Sequence, residues 1–391
     1  MLSKNSFGIE GDDAWRERQA AKRRRDYTIQ AVLVLTLFAL LAAAVMNISD
    51  NLAERHIRSG FAFIFNPSGF DIGEAAFPFT SADPAWQGFL VGMINTVKVS
   101  FFAIISATLL GVAVGLMRLS RHPMLKFLGA AHVEVYRNIP LLVMLLAVYL
   151  SVTELLPSAH GALHIGNWVY LSKSGLQFAE PVHFWAATFT SLAVAALGGW
   201  LVRRLCTKRL TNLIASLWGL AAFAVLLVCS WCVFGAVDGW AHPEQTRFAL
   251  RGGGQLTPEF LSLWLGLTLF TSASIAEIIR AGVLAVRPQQ WDAGLALGLT
   301  RAETVSYVIF PQSMRLVVPP LASQFMNLTK NSSLAVVVGY PDLVNIGNTT
   351  INVSAQALEV ICIIMLVYLT LNLITSVLMN ALNARVMRAP Q

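Results

Sequence analysis

Apolar residues in this chain run in long unbroken blocks instead of alternating with polar ones. Eight blocks approach or exceed spanning length: 28–47, 88–117, 132–152, 183–202, 212–236, 259–281, 319–339 and 358–380. A bilayer core about 30 Å thick takes about 20 residues of helix. Strands of a membrane barrel would alternate over about 10 residues instead. The pattern predicts an all-α polytopic membrane protein with about eight transmembrane helices. Composition agrees, since 56% of the 391 residues are hydrophobic and only 13% are charged.

The net charge of +7 changes the picture only through its placement. With the N-terminus inside, 20 of the 28 Lys and Arg fall in cytoplasmic segments, five fall in external ones, and Lys98, Arg137 and Lys330 lie within spans. That asymmetry predicts both termini in the cytoplasm, together with the 282–318 loop. The run Arg23-Arg24-Arg25 then reads as a topology anchor, and nucleic acid is not an expected partner. Behind this basic flank, Ile29–Met46 approaches full spanning length and reads as an uncleaved helix, not a signal peptide.

Candidate chemistry is sparse. Cys206, Cys229, Cys232 and Cys362 sit in spans or at a cytoplasmic edge, where core packing is the expected role. His160 and His164 have helical metal spacing but no evident third ligand, so no metal site is expected. The sequons at Asn327, Asn331, Asn348 and Asn352 read as chance in a polar stripe. No Gly-x-x-x-x-Gly-Lys-Ser/Thr occurs, so any nucleotide is bound elsewhere.

The chain divides into four parts. Residues 1–85 hold a cytoplasmic N-terminus, an extra helix and an external loop. Residues 86–151 and 259–391 form two core blocks. Between them, 152–258 adds external loops and an apolar hairpin that turns at Arg203-Arg204-Leu-Cys-Thr-Lys208-Arg209. Within the second block, a loop of about 37 residues is long for a compact domain and asks for a function. It reads as helix, glycine turn, helix. Asp292 is placed to cap the first helix, Ala293, Gly294 and Ala296 keep one surface small, Gly298 turns the chain, and Pro311 opens the return toward Pro319-Pro320. On spacing alone, docking to another protein and an ordinary amphipathic linker both remain open.

The stretch Trp291-Asp-Ala-Gly-Leu-Ala-Leu-Gly298, followed nine residues later by Val308-Ile-Phe-Pro311, resembles the EAA loop of ABC-transporter permeases. Further segments are similar to the polar amino-acid permeases of that class: Asn95-Thr-Val-Lys98, Gly111-x-x-x-Gly115, Val133-Glu-Val-Tyr-Arg137-Asn-Ile-Pro140, Ile275-Ala-Glu277-Ile-Ile-Arg280-Ala-Gly282 and Leu328-Thr-Lys330-Asn-Ser-Ser-Leu334. The inserted hairpin and the segment from Lys330 to Asp342 look like the general L-amino-acid permease subfamily of bacteria. Two positions depart from the usual motif. Asp292 stands for Glu, and Gly294 stands for Ala, which would weaken the docking helix slightly.

The resemblance implies the transmembrane fold of a type I ABC importer in a bacterial inner membrane. It implies a pore formed with a second, non-identical permease, a periplasmic amino-acid-binding protein that delivers substrate, and a cytosolic ATPase dimer that holds the ATP and Mg; this chain itself would carry no cofactor and catalyse nothing. The coupling loop would be Asp292, Ala293, Gly294, Gly298 and Pro311. Along the seventh block, Ser323, Gln324, Asn327, Lys330 and Asn331 fall within about 120° of one another. They are candidates for the translocation path, with a polar interface to the partner permease as the alternative. Glu277 and Arg280 are spaced to pair structurally at the inner end of the sixth block. Gly111 and Gly115 could seat a neighbouring helix. An ion-coupled secondary transporter of amino acids is the rival reading; it would be expected to show inverted repeats and a mid-membrane carboxylate, and neither is evident.

Overall fold

The computed structural model describes residues 9–54, 60–207, 212–246 and 250–387. The charges at Lys4, Arg55, Arg58, Lys208, Arg209, Arg247 and Arg388 lie outside the described residues. Twelve α-helices are described: α1 (Ile9–Glu54), α2 (Ala85–Leu119), α3 (Pro123–Asn138), α4 (Leu141–Leu150), α5 (Phe184–Cys206), α6 (Asn212–Asp238), α7 (Pro258–Leu284), α8 (Pro288–Ala296), α9 (Arg301–Thr304), α10 (Phe310–Asn331), α11 (Leu343–Ser354) and α12 (Ala357–Met387). They fall into two compact units, one holding α1 with residues 60–62 and Ser354–Glu359, the other holding the remainder.

In the first unit, α1 is a single helix whose candidate span is Ala21–Ala44. Every side chain from residue 21 to 40 is exposed, including Leu33, Leu35, Phe38 and Leu40. A helix that is apolar on all sides suits hydrocarbon, not water.

The second unit is organised around α2 and α7, which pack along most of their length. The reason is two glycines. A Cβ on Gly111 would lie 2.7 Å from Ile275 Cβ and 2.9 Å from the Ser272 carbonyl oxygen, and one on Gly115 would lie 3.0 Å from the Ala276 carbonyl oxygen. The Gly111-x-x-x-Gly115 pair thus serves a seam inside this chain. Helices α4 and α10 close on α7 to complete a core of Val99, Leu145, Leu263, Leu267, Ile275 and Leu328.

Two expected spans take different forms. The block 132–152 is a pair of helices bent by 105°. Pro140 holds Ile139 extended, at ψ 129°, and so separates α3 from α4. The block 319–339 is replaced by α10, which starts at Phe310, ends at Asn331 and continues as a short 3-10 turn over Ser332–Val337. Its polar stripe lowers its apolar content, so the described residues contain six helices long and apolar enough to span, or seven with the bent pair.

The inserted segment forms the α5–α6 hairpin together with a small sheet that the apolar pattern does not reveal. Its four antiparallel strands, in spatial order, are Leu163–Ile165, Val169–Ser172, Gly175–Phe178 and Gly254–Leu256. A second element between helices is a strap closed at its base by the Pro67–Pro84 bridge and by Ala85 N–H donating to the Asn66 carbonyl at 3.0 Å. Its Glu74 accepts from Lys98 Nζ at 2.6 Å and from Thr257 Oγ1 at 2.7 Å. Lys98, which the sequence leaves alone within a span, therefore has a counter-ion. Thr257 in turn caps α7, accepting from the Phe260 N–H at 3.1 Å.

The glycine seam yields a test. Gly111→Ala should destabilise the protein by about 1–3 kcal/mol through overpacking, read as a lower thermal unfolding temperature in detergent, whereas an unchanged midpoint would mean the seam relaxes freely.

Candidate functional site: the loop after α7 and the polar face of α10

The loop after α7 is a compact pair of short helices. Arg287 precedes α8, and Pro288 occupies its first turn, where a missing N–H is harmless. The helix ends in a glycine turn. Leu297 N–H donates to the Ala293 carbonyl at 3.1 Å, Leu299 N–H donates to the Gly294 carbonyl at 3.2 Å, and Gly298 sits at φ +80°. Thr300 then opens α9 with a reciprocal cap. Its side chain accepts from the Glu303 N–H at 3.3 Å, while Glu303 Oε2 accepts from Thr300 N–H at 2.8 Å. That backbone hydrogen bond holds the Glu303 carboxyl below its ordinary range. The cap is therefore intact at neutral pH and is lost only as pH falls through that lowered value.

Several expectations for this loop need correction. Asp292 does not cap α8; it lies mid-helix and exposed, because Pro288 starts the helix four residues earlier. Ala293 and Ala296 are exposed, but Gly294 is buried inside the loop. A Cβ there would meet Thr304 Cγ2 at 2.6 Å, so its smallness serves the packing of α8 on α9. The return begins earlier than expected. Pro311 lies in the first turn of α10, while Pro319 and Pro320 are inside that helix. Among its exposed side chains the loop carries an apolar ridge, with Leu297 82% exposed and Leu295 and Tyr307 also exposed, flanked by exposed Asp292, Thr300 and Arg301. Such a ridge on a rigid base suits insertion into a cleft on another protein.

Along α10, Leu316, Pro320, Ser323, Asn327 and Lys330 are exposed at helical spacing, forming one stripe. Gln324 and Asn331 are half-buried beside it. Lys330 makes no ion pair among the described residues and borders a cavity of about 230 Å³ with Ser333, Val344, Ile364 and Tyr368. The Tyr368 hydroxyl donates to Asp342 Oδ2 at 3.3 Å, and Asp342 is fully buried at the start of α11, where it accepts from Asn345 N–H at 2.9 Å. Among the described residues no group of three or more His, Cys, Asp and Glu is placed to hold a metal.

Residues 203–388 match the family described as "Binding-protein-dependent transport system inner membrane component". Relatives extend the match to nearly the whole chain. The general L-amino acid transport system permease protein AapQ of Rhizobium johnstonii is 36% identical over 365 residues, covering 92% of this chain and 91% of that protein. The putative amino-acid ABC transporter permease protein YhdX of Escherichia coli is 37% identical over 370 residues, covering 93% and 94%. The glutamate/glutamine/aspartate/asparagine transport system permease protein BztB of Rhodobacter capsulatus is 32% identical over 397 residues, covering 92% and 93%. This chain belongs to that permease family. It is a multi-pass membrane subunit of an ABC transporter, with the type I importer fold, and not an enzyme.

In this permease the loop is anchored by charge at its root. Arg280 Nε and Nη2 donate to Glu277 Oε1 at 3.0 and 2.6 Å, within one turn of α7. Arg118, at the end of α2, donates to the other oxygen, Oε2. Spacing suggests the first pair. The second spans 159 positions and leaves no local signal.

Replacing Gly298 by Asp puts a side chain at positive φ, at about 1–2 kcal/mol, and a charge on the apolar ridge. Gly298→Asp should abolish uptake and the stimulation of the partner ATPase while membrane insertion stays at the unmutated level. Normal transport by this variant would remove the loop as the coupling element.

Proposed function

We propose that this permease takes up L-amino acids from the periplasm of a bacterium, across the inner membrane, with a broad range weighted to polar side chains. The observation that carries the reading is the loop built from α8, the Gly298 turn and α9, with Leu295 and Leu297 outward. It is a preformed knob at the root of α7 and α10, suited to being pushed by a separate motor. Asp292, Ala293, Gly294, Gly298 and Pro311 belong to this coupling element. The motor is a cytosolic ATPase dimer that holds the ATP and Mg, and a second, non-identical permease completes the pore. A periplasmic binding protein delivers the amino acid. The distribution of Lys and Arg supports placing both termini and the coupling loop in the cytoplasm.

In this reading the exposed stripe of α10 faces the path between the two permeases. Gln324, Asn327, Lys330 and Asn331 supply its polar groups. A cation there is costly against lipid, at roughly 2.5–3.5 kcal/mol or more, and is well placed against water or a carboxylate. Every L-amino acid carries such a carboxylate. The amino-acid names of the relatives support the substrate class.

The test is uptake of a panel of labelled L-amino acids into proteoliposomes holding this permease with its co-expressed partners. Accumulation should require both ATP and the binding protein. Uptake by this chain alone on an ion gradient would overturn the reading. In the same assay, Lys330→Met should lower uptake by about 10- to 100-fold, as expected for losing a charge-assisted hydrogen bond of about 1.5–3 kcal/mol, and undiminished uptake would take Lys330 out of the path.

A further inference from the structure

The register of the small four-stranded sheet sorts its side chains by polarity. In an antiparallel sheet, residues directly opposite one another point to the same face, and the polar face ordinarily meets water. Here the register sets His164 opposite Tyr170, Tyr170 opposite Gln177 and Gln177 opposite Gln255; on that face the inner Tyr170 and Gln177 are buried at 8% and 3% exposure, while His164 and Gln255 on the two outer strands are exposed. On the other face, Leu163 pairs with Leu171 and Ile165 with Val169, so every side chain of the outer two strands there is aliphatic. The outermost pair is uncovered, with Leu163 58% and Ile165 75% exposed. Nothing in the described residues shields this edge, and no charged side chain interrupts it.

Its position says which apolar medium meets it. The ring of Trp168 lies 5.0 Å from that of Trp240, which stands two residues beyond the end of α6. Trp168 N–H donates to the Ile165 carbonyl at 3.2 Å. Ile165 is therefore within one ring contact and one hydrogen bond of the outer end of a spanning helix. At the same end of the hairpin, Val237 near the end of α6 and Trp185 and Phe189 in the first turns of α5 are exposed. Exposed tryptophans at the end of a span mark the headgroup layer, and an apolar face with a polar back suits burial at the boundary of headgroups and acyl chains. We propose that the Leu163–Ile165 edge of this sheet is seated in the outer leaflet, so that the inserted segment rests on the lipid surface as well as crossing it.

The test places a photo-reactive p-benzoylphenylalanine at Ile165, at Leu163 and, on the opposite face of the same strand, at His164. The three variants are assembled with the partner subunits and reconstituted in phosphatidylethanolamine–phosphatidylglycerol nanodiscs. Irradiation followed by mass spectrometry should give single-phospholipid adducts at Ile165 and Leu163 in many-fold excess over His164. If the Ile165 variant does not insert, the Leu163 variant carries the same comparison. Equal lipid adducts at all three sites would overturn the seating, as would no adducts at either aliphatic position. Cross-links from Ile165 or Leu163 to the second permease, to the binding protein or to another copy of this chain would also overturn it, making the face a protein interface.

Discussion

Close contact between α2 and α7 is the constraint on which the working parts depend. At Gly111 and Gly115 the two helices approach so nearly that no side chain fits between them. This fixes their rotation and axial register together. Arg118 at the inner end of α2 is thereby brought to Glu277 on α7, and Glu277 already holds Arg280. The root of the loop after α7 is tied on both sides before the loop begins. At the outer end the same helix pair is held by a different device, the Glu74 carboxylate bridging Lys98 and Thr257. Small residues set the seam, and ionic contacts lock its two ends.

Much of this was legible in the sequence because apolar blocks and glycine spacing are local. The spans at α2, α5, α6, α7 and α12, the glycine turn at Gly298 and the polar stripe on α10 all follow from patterns read within a few turns of chain. The parts that were missed depend on distance along the sequence. The contacts Arg118 to Glu277 and Glu74 to Thr257 join residues 159 and 183 positions apart, which no periodicity records. The strands of the small sheet are three or four residues long and sit between spans, too short for alternation to stand out. The misreadings at Asp292 and Gly294 have separate causes: Asp292 reads as a helix cap, but Pro288 sets the helix start, and Gly294 reads as part of an outward small-residue surface, but Thr304 claims the space beside it.

The loop also shows how a short element can be firm without a core of its own. It has the turn at Gly298, the reciprocal cap of Thr300 and Glu303, and the contact of Gly294 with Thr304. A Gln312–Gln290 hydrogen bond at 3.2 Å adds a tie between α10 and α8. Each tie is modest, but together they leave the apolar ridge fixed before any partner arrives. Binding to a surface already in shape avoids the cost of ordering it.

Pro319 and Pro320 lie in the middle of α10, between the loop end at Phe310 and the polar end at Lys330. Each lacks the N–H that would tie it to the preceding turn, so two successive rungs of the helix are absent at one level. The rod is thus stiff above and below and compliant at its waist. In the proposed coupling, a push delivered at the loop would reach the far half through a joint, arriving as a change of tilt and not as a simple sliding of the whole helix. In this permease the polar groups would then swing across the path instead of moving along it.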